Sequence, residues 1–277
     1  MTRDTVPQPL PLPSARSLLV TVLGDLVYSS GRPVWTSTVI ETMRLLGVEE
    51  QATRQAIRRS AGTGWIQSER HGKAVAWHLT PQGRELAEEG IRRSQEFVRP
   101  PTKWDGRWFS LTVSTTDLSK TTRRRLQGAL TWLRLGNLLP GIWVSPRAGV
   151  AHAVRDVVNE FGLSNSAVGV TGRIQVGLDG QEIARRAWDL TELQDSYQRL
   201  LSKYRDLEPQ DADELLIRYL EILNLMQRFM RLDPRLPKEL HPRWIGREAA
   251  ELLGDRAERW AEPAHRRWME ISKQTAP

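Results

Sequence analysis

Four side chains in the stretch VEEQATRQAIRRSAGTGW, residues 48–65, share one kind of chemistry: Gln51, Arg54, Gln55 and Arg58. They stand at i, i+3, i+4 and i+7, a spacing that a helix of about 3.6 residues per turn gathers on one face. Arginine presents two parallel N–H donors that match the O6 and N7 acceptors of guanine, and glutamine can pair with adenine through two bonds. Ala52, Ala56 and Ile57 fall on the opposite side. A face of donors backed by small packing groups suits either solvent or a groove of DNA, and the neighbouring elements must decide.

Other chemistries find little support. The histidines, His71, His78, His152, His241 and His265, are scattered, and none has a second histidine at the i+4 spacing of a helical metal pair. The chain has no cysteine, which excludes disulfides, thiolate metal sites and a thiol nucleophile. No G-x-S-x-G elbow occurs. GVTGRIQVGLDG is glycine-rich, but no G-K-[ST] follows, so it reads as turns. Asp117 is a lone carboxylate where metal-assisted phosphoryl chemistry needs partners. No catalytic residue, metal site or cofactor is expected, and the chain reads as not an enzyme. Two alternatives are a metal-dependent nucleic-acid-processing protein using the middle of the chain and a non-catalytic RNA-binding protein.

The charge balance points to anionic partners. The formal net charge is +7. Residues 99–155 hold ten Lys or Arg against Asp105 and Asp117, a local net of +8 that leaves −1 for the rest. No apolar run approaches the roughly 20 residues that span a bilayer, so no membrane partner is expected. The start, MTRDTVPQPLPLPSARSLLV, lacks the order of a signal peptide. It reads as a loose tail on a cytoplasmic protein.

The elements that must position the donors can be read from caps and periodicity. Ser14 is placed to cap a first helix, ARSLLVTVLGDLVY, broken by Gly31 and Pro33. Thr36 or Ser37 caps a second, which Gly47 ends. The donor-rich helix is the third, with Glu49 and Glu50 in its first turn and Gly62 and Gly64 closing it. Trp65 to Leu79 reads as a hairpin with the tip Arg70, His71, Gly72 and Lys73. Thr80-Pro81 opens a polar helix. This order, over residues 14–98, outlines a winged helix-turn-helix. Thr36 and Ser37 would donate to phosphate, Gln51, Arg54, Gln55 and Arg58 would face bases, and Arg59, Arg70, His71 and Lys73 would hold the backbone.

Arg99-Pro100-Pro101 reads as a linker. Residues 104–180 alternate strands (WFSLTVST, LLPGIWVSP, AVGVTGRIQ) with helices capped near Ser119 and running through VAHAVRDVVNEFG. The cluster Arg123, Arg124, Arg125 is a solvated face, a DNA flank or a seat for an anionic effector. From residue 181 to 277 the chain reads as helical. A helix begins at Asp211 or Asp213 and stops at Pro234, and two further helices follow the loop DPRLPKELHPRW. The class is α+β. Of the eleven tryptophans, most are expected in the core, Trp35, Trp65 and Trp143 among them.

Several stretches resemble the PaaX-type regulators, repressors of bacterial phenylacetic acid catabolism. SARSLLVTVLGDLV carries the Gly24-Asp25 pair. LGVEEQATRQAIRRSAGTGWI carries Arg54, Ala56, Arg59 and Gly64-Trp65. HLTPQGRELAEEG, WDGRWFSLTVS and LPGIWVSPR follow. The most specific is LDPRLPKELHPRWIGREAAELL, through Asp233, Pro234, Leu236, Pro237, Pro242, Trp244 and Gly246. Ser60 stands where the family usually has an apolar residue, and Asn137 where it commonly has an aromatic one. The resemblance implies a winged-helix domain, a ferredoxin-like middle domain similar to CRISPR-associated small nucleases, and a helical C-terminal domain. It implies a repressor bound as a homodimer to double-stranded operator DNA and released by phenylacetyl-CoA or another acyl-CoA.

Overall fold

The computed structural model describes residues 13–100 and 103–277. Most of the tail expected at the start, and Pro101 of the expected linker, lie outside the described residues. Packing groups the chain into two compact units. One holds residues 13–99, 200–230 and 248–277, the other 100, 103–199 and 231–247. The segment read as a C-terminal helical domain is therefore shared between the two units.

The first unit opens with α1 (Ala15–Val22), where Ser14 Oγ accepts from the Ser17 N–H at 3.1 Å. α1 passes through a π-helical turn (Leu23–Val27) into α2 (Tyr28–Ser30), which ends at Gly31 with φ +62°. β1 (Val34–Trp35), α3 (Thr36–Leu45), α4 (Glu50–Gly62), β2 (Ile66–His71), β3 (Ala74–Leu79) and α5 (Pro81–Val98) follow. The strands form an antiparallel sheet in the order β1-β3-β2. Leu18, Leu19, Val22, Val39, Met43, Ala56, Ile57, Ile66 and Leu79 are buried in this unit. Thr80 caps α5 as expected, accepting from the Gly83 N–H at 3.1 Å. The cap expected at Thr36 or Ser37 is corrected: Trp35 holds the N-cap position of α3, with no side-chain capping bond.

Two long helices complete this unit. α10 (Ala212–Leu232) begins where Asp211 Oδ1 accepts from the Glu214 N–H at 2.8 Å. α11 (Gly246–Gln274) is one helix where two were expected, and Pro263 lies inside it. The buried stripe Ala249, Ala250, Leu253, Trp260, Ala264, Trp268 and Ile271 continues past the proline on a helical period, so packing overrides the missing N–H. α1 meets these helices through polar groups at i, i+4 and i+8. Asn224 Nδ2 donates to Ser17 Oγ (2.7 Å) and to Thr21 Oγ1 (3.1 Å). Tyr219 donates to Asp25 Oδ1 (3.0 Å), and His265 Nε2 lies 2.8 Å from Asp25 Oδ2. Asp25 sits in the π-helical turn.

The second unit contains β4 (Trp108–Val113), α6 (Lys120–Trp132), β5 (Gly136–Leu139), β6 (Ile142–Ser145), α7 (Ala151–Glu160), β7 (Ala167–Gly172), α8 (Gly180–Ala187) and the greater part of α9 (Thr191–Tyr204). LLPGIWVSP, read as one strand, is two: Pro140-Gly141 turns β5 back on β6, with Gly141 at φ +76°. The antiparallel sheet runs β5-β6-β4-β7. On one face Phe109, Leu111, Val113 and Trp143 pack with Leu126 and Leu130 of α6 and Val154 and Val158 of α7. On the other, Trp108 and Val144 meet Ile183 and Ala184 of α8 with Leu236 and Leu240. Trp143 is buried as expected, whereas Trp35 and Trp65 are only half-buried.

The loop DPRLPKELHPRW is organised around Asp233, which is 1% exposed. Its Oδ1 accepts from the Arg235 N–H (2.6 Å), and its Oδ2 from Tyr197 (2.8 Å) and Trp244 Nε1 (3.1 Å). Gly246 lies against Trp244 and Asp233, where a Cβ would collide with both. Burial, followed by the neighbouring Asp233, pushes the Tyr197 hydroxyl far above the usual tyrosine range.

Candidate nucleic-acid interface

α4 separates its side chains as its spacing requires. Thr53, Ala56, Ile57 and Ser60 are buried, while Gln51, Arg54, Gln55, Arg58 and Arg59 are exposed. Gln51, Arg54, Gln55 and Arg58 line one shallow depression of about 330 Å³, together with Glu50. Gly64, at φ +77°, terminates the helix and turns the chain into β2.

Glu50 is the member of this face that sequence reasoning passed over. Its Oε1 accepts from Arg54 Nε at 2.7 Å, and both side chains are open to solvent. The bond takes the Nε–H and leaves the two terminal amino groups of the guanidinium available. A guanidinium fixed in this way loses less freedom when it forms a bidentate pair. The signal is the i, i+4 spacing of Glu50 and Arg54, beside the reading of Glu50 as acid in the first turn of the helix. Arg58 and Arg59 form no ion pair among the described residues.

Thr36 and Ser37 stand at the start of α3, but their hydroxyls are engaged inside the protein. Thr36 Oγ1 donates to the Val75 carbonyl (3.0 Å) and accepts from Trp77 Nε1 (2.9 Å). Ser37 Oγ donates to the Thr275 carbonyl at 2.6 Å. These bonds tie the start of α3 to the hairpin and to the end of the chain. The hairpin tip carries Arg70, His71, Gly72 and Lys73, all exposed, with Gly72 at φ +62° in the turn. His71 Nε2 lies 3.2 Å from Glu69 Oε1, and its ring meets Trp35 edge-on at 5.3 Å.

Arg123, Arg124 and Arg125 lie on α6 in the second unit, and all three are exposed. They do not converge. Arg123 Nη2 donates to the Thr115 carbonyl (3.1 Å), and Arg125 lies over the Phe161 ring at 5.6 Å. Asp117 is exposed in the segment between β4 and α6. Among the described residues, no group of three or more His, Cys, Asp or Glu is placed to hold a metal ion. No helix among them is long and apolar enough to cross a membrane.

The geometry defines an α+β chain of two compact units, the first presenting a donor-rich helix face and a basic hairpin tip. Comparison with known proteins then places it. Three family models match: PaaX-like protein over residues 14–83, PaaX protein central Cas2-like domain over 101–184, and PaaX-like protein C-terminal domain over 188–270. The chain belongs to the PaaX-like family. Transcriptional repressor PaaX of Escherichia coli (strain K12) is 28% identical over 254 residues, covering 86% of this chain and 78% of the relative. The family is one of transcriptional repressors, and the chain is not an enzyme. In fold it is similar to the uncharacterized protein Rv0674 from Mycobacterium tuberculosis, with a TM-score of 0.58, 24% identity and coverage of 93% of this chain and 98% of that one.

Proposed function

We propose that this chain is a DNA-binding transcriptional repressor of an aromatic-acid catabolic operon of the phenylacetate type. It acts in the cytoplasm as a homodimer on double-stranded operator DNA. Residues 14–98 serve as a winged helix-turn-helix, with α3 and α4 as the helix pair and β2–β3 as the wing. Residues 104–180 serve as a ferredoxin-like domain, a reading supported by the strand order β5-β6-β4-β7 with α6 and α7 against one face. Residues 181–277 form the C-terminal helical segment. An acyl-CoA, phenylacetyl-CoA among the candidates, or a related acidic small molecule releases the operator. Arg123, Arg124 and Arg125 offer the charge for its phosphates.

The observation that carries the reading is the exposed face of α4. Gln51, Arg54, Gln55 and Arg58 stand together in solvent while the opposite side of the same helix is buried. Those donors suit base edges in a major groove, and Arg59, Arg70, His71 and Lys73 suit phosphate and the minor groove. The name of the Escherichia coli relative supports the repressor sense.

The test uses duplexes enriched by the full-length protein from a random library, at fixed salt. Arg54→Ala and Arg58→Ala should each lose about 1–3 kcal/mol of binding and relax preference at one base position. Unchanged affinity and preference in both would refute the assignment of this face. Titrating phenylacetyl-CoA and other acyl-CoAs into the complex tests release, and an intact complex with all of them would refute the effector reading.

A further inference from the structure

β7 is an edge strand of its sheet, hydrogen-bonded to β4 on one side only. Edge strands in natural proteins are usually blunted by charge, proline or a bulge, because their free N–H and C=O groups invite another strand. β7, Ala-Val-Gly-Val-Thr-Gly, carries no charged residue or proline, and its pairing with β4 is in continuous register. A Cβ at Gly169 would touch the Phe109 ring, so Gly169 faces the α6–α7 core. Val168 and Val170 then point to the other face, where they are 63% and 59% exposed. Thr112, beside Val168 on β4, is also exposed, and Val176, just beyond the strand, is 90% exposed.

We propose that β7 is the surface on which two copies of this chain meet, strand to strand and antiparallel, about a two-fold axis through Gly169. The inference rests on the homodimer reading above and gives it a place. An edge strand accepts an extended strand as its partner. Charge favours a second copy of this one. Residues 161–172 hold no charged side chain, whereas a twelve-residue stretch of a chain that is 26% charged would hold about three. Two molecules of net charge +7 can approach here without setting like charges opposite each other.

The two-fold axis restricts the register. Residues directly opposite across an antiparallel pair point to the same face, so the axis must pass through a residue position. At Gly169 it sets Val168 of each copy against Val170 of the other and joins four exposed valines into one apolar patch. Arg173 of each copy then faces Asn165 of the other, so no like charges stand opposite.

Sedimentation of the full chain at micromolar concentration tests the proposal. The wild-type chain should be a dimer. Val168→Lys/Val170→Lys, at two exposed positions, should be a monomer with unchanged circular dichroism and a melting temperature that no longer depends on concentration. A mixture of the single variants Val168→Cys and Val170→Cys should form an oxidised cross-linked dimer, while each alone should not, because like positions lie on the diagonal. The wild-type chain has no cysteine to confuse the result. If the wild type and the lysine variant are both dimers, this interface is overturned while the dimer reading stands. If the wild type is a monomer, both fail. Cross-linking by either single variant alone, or none in the mixture, overturns the register.

Discussion

Ser60, on the buried side of α4, has its hydroxyl fully enclosed and without a hydrogen-bond partner among the described residues. Replacing it with alanine should stabilise the protein. A hydroxyl buried without a partner costs roughly 1–3 kcal/mol by mutational measures. Against that gain, Ser60→Ala loses the packing contacts of one oxygen atom, each worth about 0.1–0.2 kcal/mol. Alanine also has a helix propensity better by about half a kcal/mol. The balance is a gain of about 1 kcal/mol, or roughly 2–4 °C in melting temperature if the protein melts as a cooperative unit of 150–250 residues. Thr53, one heptad earlier, has the same defect, with its buried Oγ1 unpartnered among the described residues. Thr53→Val keeps the shape and should give a similar gain. The two sites are about 10 Å apart along the helix axis, so their effects should add. The assay is urea unfolding, read as a rise in midpoint at unchanged slope, alongside duplex affinity at fixed salt. Both side chains face away from the exposed donors, so affinity should not change. Destabilisation by either variant, or lost affinity with the fold intact, would refute the reasoning.

Glu50→Ala releases the Arg54 guanidinium from its 2.7 Å bond. On the proposed function, base preference at one position should broaden while the salt dependence changes little, as seen by selection from randomised duplexes. Asp233→Ala leaves Tyr197, Trp244 and the Arg235 N–H without their acceptor and should cost several kcal/mol at about 1–3 per abandoned buried donor, measured by urea unfolding. Tyr197, Tyr204 and Tyr219 are all held above the ordinary tyrosine range, first by burial and then by the carboxyl beside each: Asp233, Glu221 and Asp25. The fold therefore favours their neutral form. That contribution is complete below the unfolded value of about 10 and is lost as pH rises beyond it, so stability should fall above about pH 10. Absorbance at tyrosinate wavelengths should show the three ionising only with the loss of far-ultraviolet circular dichroism. Ionisation of any of these three at about pH 10 in a folded chain would contradict the burial argument.

What was legible in the sequence was local. The caps at Ser14, Thr80 and Ser119 follow from a side-chain oxygen placed next to N–H groups three residues on. The division of α4 into donors and packing groups follows from its period alone. Other features were set by partners far along the chain. Two helices are expected after the loop DPRLPKELHPRW, but the apolar stripe of α11 runs through Pro263 and makes them one. Pro140 reads as the end of a strand, and only the pairing of β5 with β6 makes Pro140-Gly141 a turn between two strands. The polar contacts from Ser17, Thr21 and Asp25 to α10 and α11 join residues about two hundred positions apart, where no spacing rule reaches. The same limit applied at the candidate site. Thr36 and Ser37 have the right residue types for phosphate and the right place at a helix start, but their hydroxyls are held by Val75, Trp77 and Thr275. A binding surface must present groups that the fold leaves unspent. On the proposed function, phosphate contact at the start of α3 therefore falls to the backbone N–H groups of its first turn, and side-chain contact falls to Arg59 and the hairpin tip.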